Sequence, residues 1–244
     1  MRRLHLCVVI LLRIALLGSC KKDPDYNFVF STPASGDGKT YTAKEIAGFM
    51  QMMSDGATPV KVKKWARDTV EVYLSDTTNS LLNAELPVIF DDIKTASGNR
   101  LVFRRSTDSL APLKIYFTGK AAFLQRYPSL APQLTGANDE RTGYCYIWWN
   151  SDYRIYQSVI FLDKEKLETV AVQLRYLARH EMTHALGYLT HVSLNDFPDS
   201  VMYYINNSAI RFSAFDRNMI ALLYNPAMTV GLTGEALNSL LLAL

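Results

Sequence analysis

The stretch HEMTHALGYLTH, residues 180–191, gathers three of the chain's four histidines within twelve positions. His180 and His184 stand four apart. On a helix that spacing puts both imidazoles on one face, one turn apart, so each can give a nitrogen to a single ion. Glu181 lies beside them and is not needed as a ligand. It can hold and deprotonate a water on such an ion. The third ligand decides the class of site. On a continuous helix His191 would stand about 10 Å along the axis from His184, too far to share one tetrahedral ion. Gly187 offers a way out, because it can adopt the left-handed backbone that ends a helix and turns the chain back. Three neutral imidazoles with an open fourth corner are the ligand set of a catalytic zinc rather than a closed structural one. Asp196, Asp199 and Asp216 are the acidic alternatives to His191. Asp216 is better explained as a cap partner of Ser213, and the other two sit in a Pro-containing loop that reads as solvated.

The elements that must position these residues are legible in outline. Thr42 with Glu45 forms a capping-box pattern before a short helix that ends near Gly56. Residues 69–74 alternate like a strand, and 78–96 look helical with Pro87 expected near an end or at a kink. Residues 101–103 and 113–117 read as strands. Residues 143–149 and 154–162 read as two more, paired as a hairpin around Asn150-Ser151-Asp152. A long helix follows, with Leu167, Val170, Ala171, Leu174, Leu177, Ala178 and Ala185 on its apolar face and His180 and His184 at the edge of that stripe. Ser213 with Asp216 opens another helix, which stops at Asn225-Pro226, and a last one closes the chain at 233–244. Strands interleaved with helices, then helices only, predict a single α+β domain over 41–244.

The first twenty residues, MRRLHLCVVILLRIALLGSC, combine a basic start, an apolar run and small residues before a cysteine. This is the physical pattern of a secretory leader, and it is short for a membrane-crossing helix. Leu17-Gly18-Ser19-Cys20 resembles the lipobox of bacterial lipoproteins, although Arg13 interrupts the apolar run. The resemblance implies removal of residues 1–19 and lipid on Cys20. Residues 20–40, rich in Pro, Gly, Ser and charge, then form a tether lifting the domain off a membrane. The leader's three arginines account for the whole formal charge of +3. The remainder is balanced, which gives no electrostatic reason for a nucleic-acid partner. Once Cys7 is removed and Cys20 lipidated, Cys145 has no intramolecular disulfide partner. Within TyrCysTyrIleTrpTrp (144–149) it reads as core.

From its histidines onward the sequence resembles the metzincin clan of zinc metallopeptidases, whose signature is H-E-x-x-H-x-x-G-x-x-H followed by a methionine turn. The match runs through Gly187. It then departs, since Thr190 occupies the expected third-ligand position and His191 comes one residue later. SerValMetTyrTyr (200–204) resembles the methionine turn, with Met202 as the floor beneath the metal. Tyr204 matches a tyrosine that binds metal or stabilises the oxyanion in astacin-like and serralysin-like members. The acidic residue that follows the third histidine in astacins is absent, as Val192 stands there. Residues 212–226 resemble the closing helix of these domains.

The resemblance implies a zincin/metzincin-like fold: a mixed twisted sheet, a long active-site helix and a mainly helical C-terminal subdomain. It implies a monomeric zinc endopeptidase with one Zn2+ per chain, held by His180, His184 and His191, with Glu181 as general base. Protein or peptide substrates would add as a strand to the sheet edge near 154–162. With the lipobox, it places the protein in the bacterial cell envelope, lipid-anchored, at the outer membrane. Two other readings stand beside it: a zinc-containing envelope binding module that does not cut, and a zinc amidase acting on peptidoglycan cross-links.

Overall fold

The computed structural model describes residues 41–56, 59–193, 196–203 and 209–244. The expected leader and tether with Cys20, and also Tyr204, lie outside the described residues.

Helix α1 (Ala43–Met53) starts at the Thr42 capping box and buries Ile46, Phe49, Met50, Met52 and Met53. After the two-residue strand β1 (Lys64–Trp65) come β2 (Thr69–Leu74) and α2 (Ser80–Ala96). Pro87 sits in the interior of α2, not at an end, and on its exposed side. The helix tolerates it there because Leu82, Leu86, Ile89, Phe90 and Ile93 are buried along the opposite face. Strands β3 (Val102–Ser106) and β4 (Leu113–Thr118) follow. The short helices α3 (Lys120–Arg126) and α4 (Ala131–Leu134) lead to the hairpin β5 (Gly143–Trp149) and β6 (Arg154–Asp163). Tyr153 takes φ 64° in the hairpin turn.

The long helix expected next is two helices, α5 (Lys164–Leu167) and α6 (Ala171–Ala185). The apolar stripe does not run through the break. Leu167 is buried, but Val170 is 41% exposed and Ala171 also faces solvent. From Leu174 onward α6 turns its apolar residues inward, and over Arg179–Ala185 it is buried on every side. Helices α7 (Ala214–Leu223) and α8 (Gly234–Ala243) complete the chain. Among the described residues, no helix is long and apolar enough to cross a membrane.

The sheet runs β3-β2-β4-β6-β5, with parallel pairing except for antiparallel β5 on β6. Ile155 pairs with Trp65 of β1 and with Trp149 of β5. The short β1 therefore sits beside the start of β6 on the side away from β5. The hairpin thus places β6 inside the sheet and β5 at its edge. The sequence placed a sheet edge near 154–162; the strand at that edge is residues 143–149 instead.

Both faces of the sheet are covered, so strand residues alternate between two cores. Ile160 and Leu162 join Leu113, Ile115 and Phe117 in the main core with α1, α2, α6 and α7. Val159, Phe161 and Tyr116 point the other way, to Phe123, Leu130 and Leu134 of the segment carrying α3 and α4. The chain is thus a mixed α/β fold built around a largely parallel sheet.

Candidate metal centre

Helix α6 is held at both flanks and at its end before it presents any ligand. Glu85 of α2 forms an ion pair with Arg175 (Nε to Oε1, 2.6 Å) and accepts a hydrogen bond at Oε2 from Arg179 Nη2 (2.9 Å), which fixes α6 against α2. At the C-terminus, where helix carbonyls lack internal partners, Trp65 Nε1 donates to Ala185 O (2.8 Å) and Tyr224 Oη to Leu186 O (3.2 Å). Gly187 then turns the chain with φ 127°. A Cβ there would lie 2.0 Å from the Lys63 carbonyl oxygen. Both the backbone angle and the close approach of Lys63, the residue before β1, therefore require glycine.

The chain returns along the end of α1. Leu189 N and Thr190 N both donate to Met52 O (2.7 and 3.1 Å), and Thr190 Oγ1 donates to Gln51 O (2.5 Å). The side chain at position 190 is thereby turned toward α1, and His191 is the residue that enters the centre. His191 is followed at once by a parallel bridge between Val192 and Tyr203, with Val192 N donating to Met202 O (3.3 Å). Met202 is fully buried in the turn at 200–203.

The three rings converge. His191 Nε2 lies 3.2 Å from His184 Nε2 and 3.1 Å from His180 Nε2. Nitrogens bound to one tetrahedral zinc at 2.0–2.1 Å stand about 3.3 Å apart, so the spacing fits. The hydrogen bonds on the far side of the rings decide the tautomers. His180 Nδ1 donates to Val201 O (2.6 Å) and His184 Nδ1 to Tyr188 O (2.7 Å). A neutral imidazole carries one N–H, so in both rings Nε2 presents a lone pair to the centre. Burial strengthens that state. It depresses His180 to about 4, and with the neighbouring His180 it depresses His184 to about 3. His191 is held well below its ordinary value by burial, then by the other two histidines and Arg141. Converging lone pairs on rings that resist protonation suit a divalent cation, whose charge they would satisfy. Among the described residues these three histidines are the one group that could hold a metal ion.

The acidic alternatives are engaged elsewhere. Asp196 pairs with Lys44 (3.0 Å) at the surface, and Asp199 is exposed. Asp216 is buried and accepts four hydrogen bonds. Ser213 N (2.8 Å), Ser213 Oγ (2.9 Å) and Val201 N (3.1 Å) reach Oδ2, and Ser200 Oγ (2.5 Å) reaches Oδ1. Burial pushes its carboxyl up, and the bonds from Ser200, Ser213 and Val201 oppose that. Asp216 is the expected cap partner and also the anchor of the turn. It holds the Val201 amide while the Val201 carbonyl holds His180.

Glu181 is buried beside the ligands, and burial pushes its carboxyl up to about 8 against the opposing charge of Arg141. A Cβ on Gly143 would lie 2.6 Å from Glu181 Oε1, so the start of the edge strand β5 lies directly against this carboxylate. Cys145, two residues on, is half-buried beside the main core and 3.4 Å from Ser158 Oγ. Burial, then the Glu181 charge, push its thiol well up, which leaves it inert as a nucleophile. Arg141, which carries no motif, is the residue near the centre that sequence reasoning missed. Only pairing of β5 with β6 brings it near Glu181.

The sequence family that matches residues 44–243 is described as a protein of unknown function, DUF2927. The chain belongs to that family. No curated protein matches it. Two solved structures of myroilysin are similar at 13% and 14% identity, each with a TM-score of 0.41. They cover 68% and 69% of this chain, and the chain covers 98% and 89% of theirs. Likeness of that degree leaves the centre to be interpreted from its own residues.

Proposed function

We propose that this protein is a zinc-dependent endopeptidase of metzincin type, lipid-anchored through Cys20 in the bacterial cell envelope. One observation carries the reading: the three imidazole Nε2 atoms converge, that of His191 lying 3.1 and 3.2 Å from the other two, next to a buried carboxylate that is not one of the group. His180, His184 and His191 would hold a single zinc. When bound, such an ion supplies Lewis acidity, polarising a carbonyl and lowering the pKa of a water toward about 7. Glu181, whose raised proton affinity suits proton transfer near neutral pH, accepts the proton of the attacking water and passes it to the leaving amine. The edge of β5 away from β6, which pairs with no other strand among the described residues, offers main-chain partners to an extended peptide, and Gly143 lets that peptide approach Glu181 without a side chain between them. Met202 forms the floor of the centre, and Tyr204 would assist at the oxyanion.

A binding module without catalysis is the second reading, favoured by the burial of Glu181 and all three histidines. The experiment that separates them is hydrolysis of a broad peptide library by the wild type and Glu181→Gln, with zinc content measured for each. General-base catalysis is worth roughly 10²–10⁴-fold. The variant should keep its zinc and lose at least that much in kcat. A fully zinc-loaded wild type that binds peptides as Glu181→Gln does, yet cleaves none, would establish the binding module. Cleavage confined to peptidoglycan cross-links would make the protein a zinc amidase.

A further inference from the structure

Tyr176 lies one turn before His180 on α6, in the stretch that Glu85 fixes against α2 through Arg175 and Arg179. It is 3% exposed, and its ring leans on the imidazole of His180 with centroids 5.4 Å apart. The hydroxyl reaches from the helix to the turn that carries Met202. Tyr176 Oη donates to Tyr203 O (2.5 Å) and stands 3.4 Å from His180 Nδ1. A tyrosine hydroxyl has one proton, and Tyr203 O takes it, so His180 meets the lone pairs of this oxygen. The N–H of Nδ1 therefore faces two acceptors, Val201 O at 2.6 Å and Tyr176 Oη as a longer second one. The opposite tautomer would set a nitrogen lone pair against both oxygens. The turn is also joined to the third histidine. Val192, next to His191, bridges Tyr203 and donates to Met202 O (3.3 Å). One hydroxyl thus stands where the helix of His180, the turn and the segment after His191 meet.

We propose that Tyr176 is a positioning residue of the metal centre: its hydroxyl locks the 200–203 turn to α6, so that His180 and His191 are held in register for one ion. This rests on the metal-binding part of the functional reading and is independent of cleavage. The direction of a histidine ligand is set by the partner of its other ring nitrogen. For His180 that partner is Val201 O, which belongs to the turn, so the ring is aimed only as well as the turn is placed. Asp216 holds the turn from α7 at Ser200 and Val201, and Tyr176 holds it from α6 at Tyr203. The second bond ties the turn to the helix that carries His180 itself. A metal site tolerates deviations of only about 0.2 Å in its ligand distances, so slack between His180 and His191, whose Nε2 atoms are 3.1 Å apart, weakens it directly. A phenylalanine ring would fill the same space, which makes the contribution of the hydroxyl a matter of direction rather than of packing.

The test titrates the full chain with zinc against a chromophoric chelator and, separately, loads it with Co(II), whose visible bands report the geometry of its ligands. Tyr176→Phe keeps the ring and removes one oxygen. Its zinc affinity should fall roughly tenfold, the lower end of the range for losing a group that orients a ligand, because Val201 O remains. Its cobalt bands should shift or weaken. Replacing Tyr176 by 4-aminophenylalanine returns a donor to Tyr203 O and should recover most of the affinity. Thr183→Val is the control. It removes another buried hydroxyl from α6, one that donates to Arg179 O (2.8 Å) within the helix and not to the turn. Its zinc affinity should match the wild type within about twofold, with unchanged cobalt bands. Should Tyr176→Phe fail to fold, the wild type decides. Zinc should then slow exchange of the Tyr203 amide, which donates to Ser200 O (3.1 Å) within the turn, at least roughly tenfold. Unchanged affinity in Tyr176→Phe, an equal loss in Thr183→Val, or a Tyr203 amide indifferent to zinc would overturn the proposal. A wild type that binds neither zinc nor Co(II) removes the metal-binding reading and the proposal with it. A wild type that binds zinc no better than Tyr176→Phe removes only the role of Tyr176.

Discussion

Two helices of this chain begin with the same device and put it to different uses. At the start of α1, Glu45 N donates to Thr42 Oγ1 (3.1 Å) and Thr42 N to Glu45 Oε2 (2.8 Å). At the start of α7, Asp216 N donates to Ser213 Oγ (3.1 Å) and Ser213 N to Asp216 Oδ2 (2.8 Å). The first box lies at the surface, and its carboxylate also takes Asn218 of α7 (2.7 Å). The second is buried, and its carboxylate also takes Ser200 Oγ and the Val201 amide. Through Val201 it reaches His180. A cap satisfies the same backbone donors wherever it stands. Burial decides whether its remaining hydrogen-bonding capacity goes to a neighbour at the surface or to the alignment of a histidine in the candidate metal centre.

The sharpest way to break the comparison is to remove each acid in turn. Asp216→Ala leaves Ser200, Val201 and Ser213 without their acceptor in the interior, at about 1–3 kcal/mol for each buried group left unpaired. Zinc affinity should fall roughly 10- to 100-fold, the usual cost of losing a group that orients a ligand. Denaturant unfolding and competition with a chromophoric chelator measure the two effects. If Thr42→Ala costs as much as Asp216→Ala, the two caps are equivalent and the alignment role is lost.

Acid sharpens the same contrast. In the zinc-free chain His180 and His184 stay neutral to about 4 and about 3, whereas in the unfolded chain they take up protons near 6.5. Below that pH the unfolded state binds more protons at these two residues, so their contribution to stability falls as pH drops from about 6.5 toward 4, by on the order of a few kcal/mol, and Glu181, which burial raises to about 8 and which takes its proton in the folded chain, offsets only part of it. Thermal unfolding of the chelated protein at pH 7 and pH 5 checks it, with a lower midpoint expected at pH 5. A flat profile would mean that the histidines are not held neutral by the fold.

Gly187→Ala should cost about 2–3 kcal/mol, because the added Cβ meets a backbone carbonyl at 2.0 Å and the backbone angle is strained as well. Since the turn delivers His191, zinc affinity should fall with stability in the same titration. Thr42→Ala comes last, at about 1 kcal/mol, the ordinary cost of losing a surface cap. Its zinc affinity should match the wild type within about twofold, a difference worth well under 1 kcal/mol. A larger change would show that α1 transmits more to the His191 loop than the Met52 and Gln51 carbonyls alone.

Some of this was legible because it is local. A histidine pair at helical spacing, a glycine at a helix end, both capping boxes and the β5–β6 hairpin each follow from residues near one another in the chain. The break at 168–170 was missed because Val170 and Ala171 continue an apolar period that the fold does not bury. Of the two places open to Pro87, the structure takes the helix interior, where packing of five buried neighbours along α2 opposes its penalty. The sheet edge was assigned to β6 because sequence shows which strands pair, and leaves open which of them lies outermost.

By itself the sequence determined the chemistry available: three imidazoles, one adjacent carboxylate and a glycine able to turn the chain between them. Tertiary structure alone decided which donors meet. Thr190 and His191 are adjacent, and what separates their roles is that two carbonyls of α1 take the Thr190 amide and hydroxyl, leaving His191 to point inward. Asp196, Asp199 and Asp216 are alike as letters. Burial with four donors made one of them a support, while exposure left the other two at the surface. Arg141 carries no local signal, because its relation to Glu181 exists only once the edge strand is laid against α6. Sequence fixes what each side chain can donate or accept, and packing fixes the partners within reach.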